Sequence, residues 1–74
     1  MLLDKDRRQL VRQALRDARL RSELRQTDVA EALGKPQSYV AKVESGERRI
    51  DIVDFLNLCA ALELDPCEVI TRLM

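Results

Sequence analysis

The chain has 74 residues, of which 46% are hydrophobic and 35% charged, with 13 basic and 13 acidic side chains and no histidine. This composition indicates one small globular domain and excludes a disordered chain. No apolar run approaches the roughly 18 residues of a membrane-spanning helix, and no secretory signal opens the sequence, so we expect a cytoplasmic protein with no membrane partner. Two cysteines, Cys59 and Cys67, without a CxxC motif or histidine, predict neither a disulfide framework nor a metal site.

The zero net charge conceals a strong polarisation along the chain. Residues 1–25 carry eight basic and four acidic side chains, residues 26–49 carry four of each, and residues 50–74 carry one basic and five acidic side chains. The distribution of charged residues matters more than the net charge in determining whether a protein can present a basic face. A fold could therefore assemble such a face here.

Apolar residues recur at helical intervals and no strand-like alternation is present, which predicts an all-α domain of five short helices spanning residues 1–74. The first helix is expected from about Asp6 to Ser22, and its buried face contains Leu10, Val11, Ala14, Leu15 and Ala18.

The second and third helices are short and separated by a glycine. Val29, Ala30 and Leu33 mark the second helix, which Gly34 stops because glycine tolerates positive φ. The third helix begins near Pro36 and ends before Gly46, with Val40 and Val43 as its apolar residues.

Two helix-start signals mark the last two helices. Asp51 is the expected cap of a fourth helix with a core face of Ile52, Phe55, Leu56, Cys59 and Leu62. Asp65, Pro66 and Glu68 predict the start of a fifth helix, with aspartate as the cap, proline first and glutamate third in a capping box.

The segment from Gln26 to Ser45 has the spacing of a helix-turn-helix. Ala30 supplies the small residue that two crossing helices need where they approach, and Gly34 supplies the turn between them. Val40 and Val43 anchor the third helix to the core and leave its other side free.

The free side of the third helix is polar. On a helical wheel it displays Ser38, Tyr39, Ala41, Lys42 and Ser45, with Gln37 in the first turn. A recognition helix points its N-terminus at base edges, where glutamine pairs with adenine, and serine and lysine bind other bases or phosphate. A merely solvated helix face would also be polar, and the helix-turn-helix frame favours the base-reading interpretation.

The sequence resembles the lambda-repressor-like, Cro-type helix-turn-helix family, the xenobiotic-response-element group of bacterial and phage regulators. The likeness covers about residues 15–69 and rests on LRQTDVAEALG, KPQSYVAKVESGER and FLNLCAALELDP. It implies a compact five-helix domain that binds double-stranded DNA. By resemblance, bases are read by Gln37, Ser38 and Lys42, and the DNA backbone is contacted by Gln26, Tyr39, Arg48 and Arg49. Gln26 would also brace the first side chain of the recognition helix.

Glu44 falls on the apolar side of the third helix, where an unpaired carboxylate is costly. The resemblance makes Arg19, at the end of the first helix, its partner, and we expect an Arg19–Glu44 ion pair between the two helices.

Two positions depart from the family pattern. Arg25 stands where the family usually caps the second helix with serine or threonine; Asp28 would partly compensate by accepting a backbone N–H. Arg25 is either a DNA-backbone contact or a tolerated surface residue. Glu23 replaces the usual glycine after the first helix and is expected to strain that turn.

The fourth helix is apolar nearly all round, which indicates that it is covered on more than one side. We predict a homodimer through the fourth and fifth helices, with interface residues Val53, Leu58, Ala61, Leu64, Ile70 and Leu73. The alternative is a monomer in which the first helix covers this surface.

Together these features predict a dimeric transcriptional regulator that reads a pseudo-palindromic operator through the major groove, with half-sites about 34 Å apart. The alternative is an antitoxin-like or adaptor module that binds a partner protein through the fourth and fifth helices. A restriction–modification controller is a variant of the first hypothesis, distinguishable by gene neighbourhood. We expect no enzyme, cofactor or small-molecule ligand, because the chain has neither an activated nucleophile nor room for a sensing domain.

Overall fold

A computed structural model describes residues 2–74, which form five helices and no strand. The helices are α1 (Asp4–Arg21), α2 (Gln26–Leu33), α3 (Gln37–Ser45), α4 (Ile52–Ala61) and α5 (Pro66–Leu73). The predicted all-α architecture is confirmed. Within the same residues, no helix combines the length and apolar character that a membrane crossing requires.

The first helix begins two residues earlier than expected. Asp6 Oδ2 accepts a hydrogen bond from the Leu3 backbone N at 3.2 Å, so Asp6 lies in the first turn and satisfies an N–H at the helix entrance. The other end of α1 turns through Glu23, whose φ is +57°. Leu24 N donates to Arg19 O at 3.1 Å across this turn. The strain expected at Glu23 therefore corresponds to a left-handed backbone conformation that glycine adopts more easily.

One continuous core joins all five helices. Helix α3 packs on α1 and α2, while α5 packs on α1 and α4, and α2 also contacts α4. The buried side chains are mostly small or branched apolar residues: Ala14, Leu15, Ala18, Val29, Ala30, Tyr39, Val40, Val43, Phe55, Leu58, Cys59, Leu62 and Val69. The helix-turn-helix is thus held against a scaffold formed by α1, α4 and α5.

The side of helix α4 that is buried in the core differs from the side that the sequence predicted. Leu58 is only 2% exposed, whereas Ile52 and Leu56, expected in the core, are 61% and 45% exposed. A helix that is apolar on most sides has little periodic contrast, so packing against α2 and α5 decides its rotation. The assignment of Leu58 to a dimer interface is therefore wrong, because this side chain is already enclosed within the monomer.

The caps of α4 and α5 also differ in detail from expectation. Asp51 Oδ1 accepts from Asp54 N at 2.8 Å and Asp54 Oδ2 accepts from Asp51 N at 3.2 Å, which makes a reciprocal capping box at α4. Asp65 does cap α5, but its carboxylate Oδ1 accepts from Cys67 N at 2.9 Å, while Glu68 N donates to the backbone oxygen of Asp65. The capping box predicted at the fifth helix is therefore found at the fourth.

Candidate nucleic-acid interface

The turn between α2 and α3 depends on Gly34. Its φ and ψ are +66° and 33°, in the left-handed region, and the backbone N of Lys35 donates to Ala30 O at 2.9 Å. An added Cβ at Gly34 would meet nothing within 4 Å, so the backbone conformation, not lack of space, requires glycine there. Ala30 is buried beneath this turn, as its predicted role at the helix crossing demands.

Helix α3 has one buried apolar side and one exposed polar side, as its sequence pattern predicts. Val40 and Val43 are buried in the core, while Gln37, Ser38 and Lys42 are exposed at the surface. The two anchors fix the rotation of the helix, and the three polar side chains therefore share the side directed away from the core.

A chain of hydrogen bonds links the scaffold to the first residue of α3. Arg19 donates to Glu44 through Nε at 2.7 Å and through Nη2 at 3.0 Å, and through Nη1 to Leu24 O at 2.9 Å. Glu44 Oε1 also accepts from Gln26 Nε2 at 3.1 Å. Gln26 Oε1 in turn accepts from Gln37 Nε2 at 2.6 Å. We call the four residues Arg19, Glu44, Gln26 and Gln37 the brace.

The brace has a defined direction because Glu44 can only accept hydrogen bonds. Gln26 must turn its amide nitrogen toward Glu44, which leaves its oxygen for Gln37. Gln37 therefore donates one N–H inward and keeps its second N–H and its Oε1 available on the exposed side of α3.

The Arg19–Glu44 ion pair expected from the sequence is present and is nearly enclosed. The two side chains are 11% and 9% exposed, and the bidentate hydrogen bond to Glu44 raises the pKa of Arg19. Within residues 2–74 no buried side-chain polar atom lacks a hydrogen-bond partner, so the carboxylate on the apolar side of α3 is fully satisfied. Removal of either partner would leave a charge largely out of water.

Tyr39 occupies a different environment from the one predicted. Its side chain is buried in the core cluster and is not part of the exposed arc of α3. Lys35 Nζ and Arg48 Cζ lie 5.2 Å and 4.9 Å from the centre of its ring, within cation–π range. Burial raises the pKa of the Tyr39 hydroxyl, while Arg48 opposes that rise. An amphipathic ring explains the error, because a helical wheel cannot separate its buried body from its polar end.

Arg48 and Arg49 both lie exposed on the segment between α3 and α4. The backbone N of Arg48 donates to Lys42 O at 3.1 Å, and its guanidinium rests on the Tyr39 ring. The side chain of Arg48 is thus oriented by the end of α3, beside the exposed polar residues of that helix.

Arg25 is paired within the chain. Its Nη2 lies 3.1 Å from Asp28 Oδ1, and its backbone N donates to Asp28 Oδ2 at 2.8 Å, as the sequence led us to expect. Hydrogen bonds from the Arg25 side chain and backbone lower the pKa of Asp28. The Arg25 side chain is 81% exposed, so solvent screens this surface pair and it contributes little to stability.

Two elements of this interface escaped the sequence analysis. Lys35 shares the Tyr39 ring with Arg48, and Gln26 donates a hydrogen bond to Glu44, whereas the contact of Gln26 with Gln37 was expected from the family resemblance. Gln26 and Glu44 are far apart in sequence, and neither periodicity nor composition marks their contact.

The remaining predicted interface residues lie on or near the surface of α4 and α5. Val53 and Ile70 are 60% and 39% exposed, whereas Ala61, Leu64 and Leu73 are half-buried against the core.

Comparisons with known proteins agree with the fold and the motif. A family model described as a helix-turn-helix domain matches residues 10–70. No curated protein sequence matches the chain.

Several solved structures are similar to this one. An XRE-family like protein from Pseudomonas syringae pv. tomato is 36% identical with a TM-score of 0.85, over 90% of this chain and 82% of that one. The restriction-modification controller protein C.AhdI from Aeromonas hydrophila is 37% identical with a TM-score of 0.73, over 81% of this chain and 91% of that one. The C.Esp1396I controller, solved as a tetramer with its natural 35 base-pair operator, shares the fold at 19% identity, with a TM-score of 0.80 over 90% of this chain and 88% of that one.

The family match spans most of the chain, and two of the solved relatives exceed 30% identity over most of their own length. The chain therefore belongs to the helix-turn-helix family, in its lambda-repressor-like, Cro-type (XRE) group.

Proposed function

We propose that this protein is a sequence-specific DNA-binding transcriptional regulator that acts as a dimer and reads a pseudo-palindromic operator with α3 in the major groove. The observation that carries the proposal is the brace, which fixes the Gln37 amide at the N-terminus of an exposed polar helix. A solvated helix face gains nothing from such positioning, whereas a base-reading side chain does.

The exposed atoms of α3 suit base edges. Gln37 has one N–H and one carbonyl oxygen free, which is the donor and acceptor pair that binds adenine N7 and N6 in the major groove. Ser38 and Lys42 extend the polar surface along the same helix, and lysine can donate to guanine or to phosphate.

Phosphate contacts are assigned to the residues that surround this helix. Arg48 and Arg49 are exposed at its C-terminal end, and Gln26 lies half-buried at the start of α2 with one amide N–H unused by the brace. Arg25 would have to exchange Asp28 for a phosphate, and the weakness of their exposed ion pair makes that exchange inexpensive. Tyr39 would act mainly by supporting Arg48, since its ring is buried.

The relatives support the same proposal at the level of family. C.AhdI, at 37% identity, is a restriction-modification controller, and C.Esp1396I, which shares the fold, binds its operator as a tetramer. Control of a restriction–modification system is therefore one setting in which this regulator would operate, in the cytoplasm, where its DNA would lie.

Exposed aliphatic side chains on α4 and α5 support a dimer. Val53 and Ile70 from the predicted set are joined by Ile52 and Leu56, which the fold leaves outside the core. Exposed apolar residues gathered on neighbouring helices gain free energy when a partner covers them, at about 25 cal/mol per Å² of apolar surface buried. The same surface would serve the alternative function, in which a different protein binds there.

The experiment that tests the proposal is selection of bound sequences from a random duplex library with the wild type and Gln37→Ala side by side. We expect a two-fold symmetric motif with the wild type and the loss of one base preference per half-site with the variant, because only the Gln37 contact is removed. Absence of any enriched sequence with the wild type would contradict sequence-specific binding. An enriched motif that is identical for both proteins would contradict the role of Gln37.

A further inference from the structure

We propose that a basic groove between α1 and the segment after α3 binds the DNA backbone outside the bases that α3 reads. This inference rests on the proposed function, and it adds α1 to the DNA-contacting surface. The groove has a volume of about 650 Å³ and is lined by Lys5, Arg8, Arg12, Arg48 and Arg49, with Asp6 as its acidic residue.

The α1 side of the groove is built by helical spacing. Lys5, Arg8 and Arg12 are three and four residues apart, which places them along one side of the helix. At 1.5 Å per residue this row extends about 10 Å. Successive phosphates of one DNA strand advance about 3.4 Å along the duplex axis while winding around it, so a row of this length can reach more than one phosphate. A single small anion would contact only part of this row of basic side chains.

The Arg12 guanidinium occupies the space that a side chain at Gly46 would fill. A Cβ built at Gly46 would lie 3.0 Å from Arg12 Cζ, so the guanidinium packs directly on the glycine backbone. Gly46 has a φ of +88°, which favours glycine independently. The residue that ends α3 therefore also holds an arginine of α1 next to the segment that carries Arg48 and Arg49.

The basic side chains of the groove form no salt bridge with any residue from 2 to 74. The three salt bridges among residues 2–74 involve Arg7, Arg19 and Arg25, and none involves the five cations of the groove. The carboxylate of Asp6 is engaged with the Leu3 backbone N. Unpaired like charges in a concave surface repel one another and attract a polyanion.

Continuity with the proposed reading surface identifies the occupant. Arg48 and Arg49 belong both to the groove and to the phosphate contacts proposed beside α3. A DNA strand that leaves these two arginines would next meet Arg12, Arg8 and Lys5. Three of the basic side chains in the first third of the chain thus extend the proposed DNA-binding surface.

The test compares salt dependence of binding on two duplexes that contain the sequence selected by the wild type. One duplex is trimmed to that sequence, and the other carries about 10 further base pairs on each side, one helical turn. Binding is followed by fluorescence anisotropy from 50 to 200 mM salt. The variants are Arg8→Ala, Lys5→Ala/Arg8→Ala, and Arg21→Ala as a control, an exposed arginine of α1 that does not line the groove.

On the extended duplex, Arg8→Ala should reduce the slope of log K against log salt by about one, and the double variant by about two. The ratio of the wild-type association constant to that of Arg8→Ala should then decrease about 3.5-fold from the lowest to the highest salt concentration. On the extended duplex, Arg21→Ala should have the same slope as the wild type. On the trimmed duplex, both groove variants should also have the wild-type slope.

Two results would overturn the inference: groove variants that match Arg21→Ala on the extended duplex, or a reduced slope that persists on the trimmed one. Arg48→Ala serves as the positive control for a phosphate contact and should lower the slope on both duplexes. Failure of the proposed function itself would be distinguishable, because the wild type would then select no sequence at all.

Discussion

At the helix-turn-helix and the segment that follows it, two exposed polar side chains, Gln37 and Arg48, are held by partners within the chain, whereas the side chains exposed on α4 and α5 include several aliphatic residues. Gln37 is positioned through Gln26 by a nearly enclosed ion pair, and Arg48 rests on a buried ring. Val53 and Ile70, by contrast, are apolar and are 60% and 39% exposed.

Under the proposed function, the difference follows from what each surface would recognise. Hydrogen bonds to base edges depend on direction, so a reading side chain gains affinity when its geometry is fixed before binding. Burial of apolar surface has little directional requirement and scales with area. A small domain can therefore use its buried hydrogen bonds and ion pair to position the side chains of one surface. The other surface can associate through burial of apolar side chains.

The largest expected effect concerns the ion pair beneath the reading surface. Arg19→Ala leaves Glu44 largely buried without its bidentate donor, so we expect a loss of about 2–3 kcal/mol in the free energy of unfolding. For a domain of this size that corresponds to a fall in Tm of roughly 10–20 °C. Thermal and urea unfolding of the variant would measure it.

A matched control is available in the exposed Arg25–Asp28 pair. Arg25→Ala removes the same side chain from a pair in which the arginine is 81% exposed, and it should lower the melting temperature far less than Arg19→Ala. Equal melting temperatures for Arg19→Ala and the wild type would show that the brace does not stabilise the fold.

The second effect concerns assembly through the apolar surface. Val53→Asp places a charge among the exposed aliphatic residues of α4 and should convert a dimer into the 8.5 kDa monomer, because burial of an unpaired carboxylate is unfavourable. Sedimentation at micromolar concentration measures the change.

Leu20→Asp is the control for this experiment, since Leu20 is also an exposed aliphatic residue but lies on α1. It should leave the assembly unchanged. A wild type that sediments only as an 8.5 kDa species would contradict the dimer, and co-purification of a second protein would favour the partner-binding alternative.

The smallest effect is a dependence of stability on pH at the start of α2. The pKa of Asp28 is lower in the folded protein because Arg25 donates to it, whereas in the unfolded chain it returns to about 3.9. The stabilisation is therefore complete above the unfolded pKa and is lost as pH falls through the lower folded pKa. Asp28→Asn should melt below the wild type at pH 7, and the gap should close in strongly acidic solution.

A constant gap between Asp28→Asn and the wild type at every pH would mean that the Asp28 charge does not contribute. Glu68→Gln is a suitable reference, because Glu68 is likewise in the first turn of a helix and has no salt bridge among the described residues.

The sequence predicted the helix order and the exposure of Gln37, Ser38 and Lys42 on α3 because both depend on local signals. Gly34 ends a helix through its backbone freedom, and Val40 with Val43 sets the rotation of α3 through simple spacing. The ion pair between Arg19 and Glu44 followed from the family resemblance, since only a tertiary partner makes a carboxylate acceptable on that side of α3.

Errors arose where side-chain type and spacing gave more than one solution. Leu58 and Leu56 are both apolar on a helix with little polar contrast, and only the packing of α2 and α5 selects Leu58 for the core. Tyr39 combines an apolar ring with a polar hydroxyl, so its helical position did not reveal its burial. The contact between Gln26 and Glu44 depends on the tertiary fold and leaves no local pattern.

The most direct test of the account measures whether the brace positions Gln37 for reading a base. On the selected duplex, wild type, Gln26→Ala, Gln37→Ala and the double variant would be titrated against all four bases at the position whose preference Gln37→Ala relaxes. We predict that the wild type discriminates by about 1–3 kcal/mol, that Gln26→Ala loses part of this, and that the double variant discriminates no worse than Gln37→Ala. Full discrimination by Gln26→Ala, or a double variant that discriminates less than Gln37→Ala, would contradict the account.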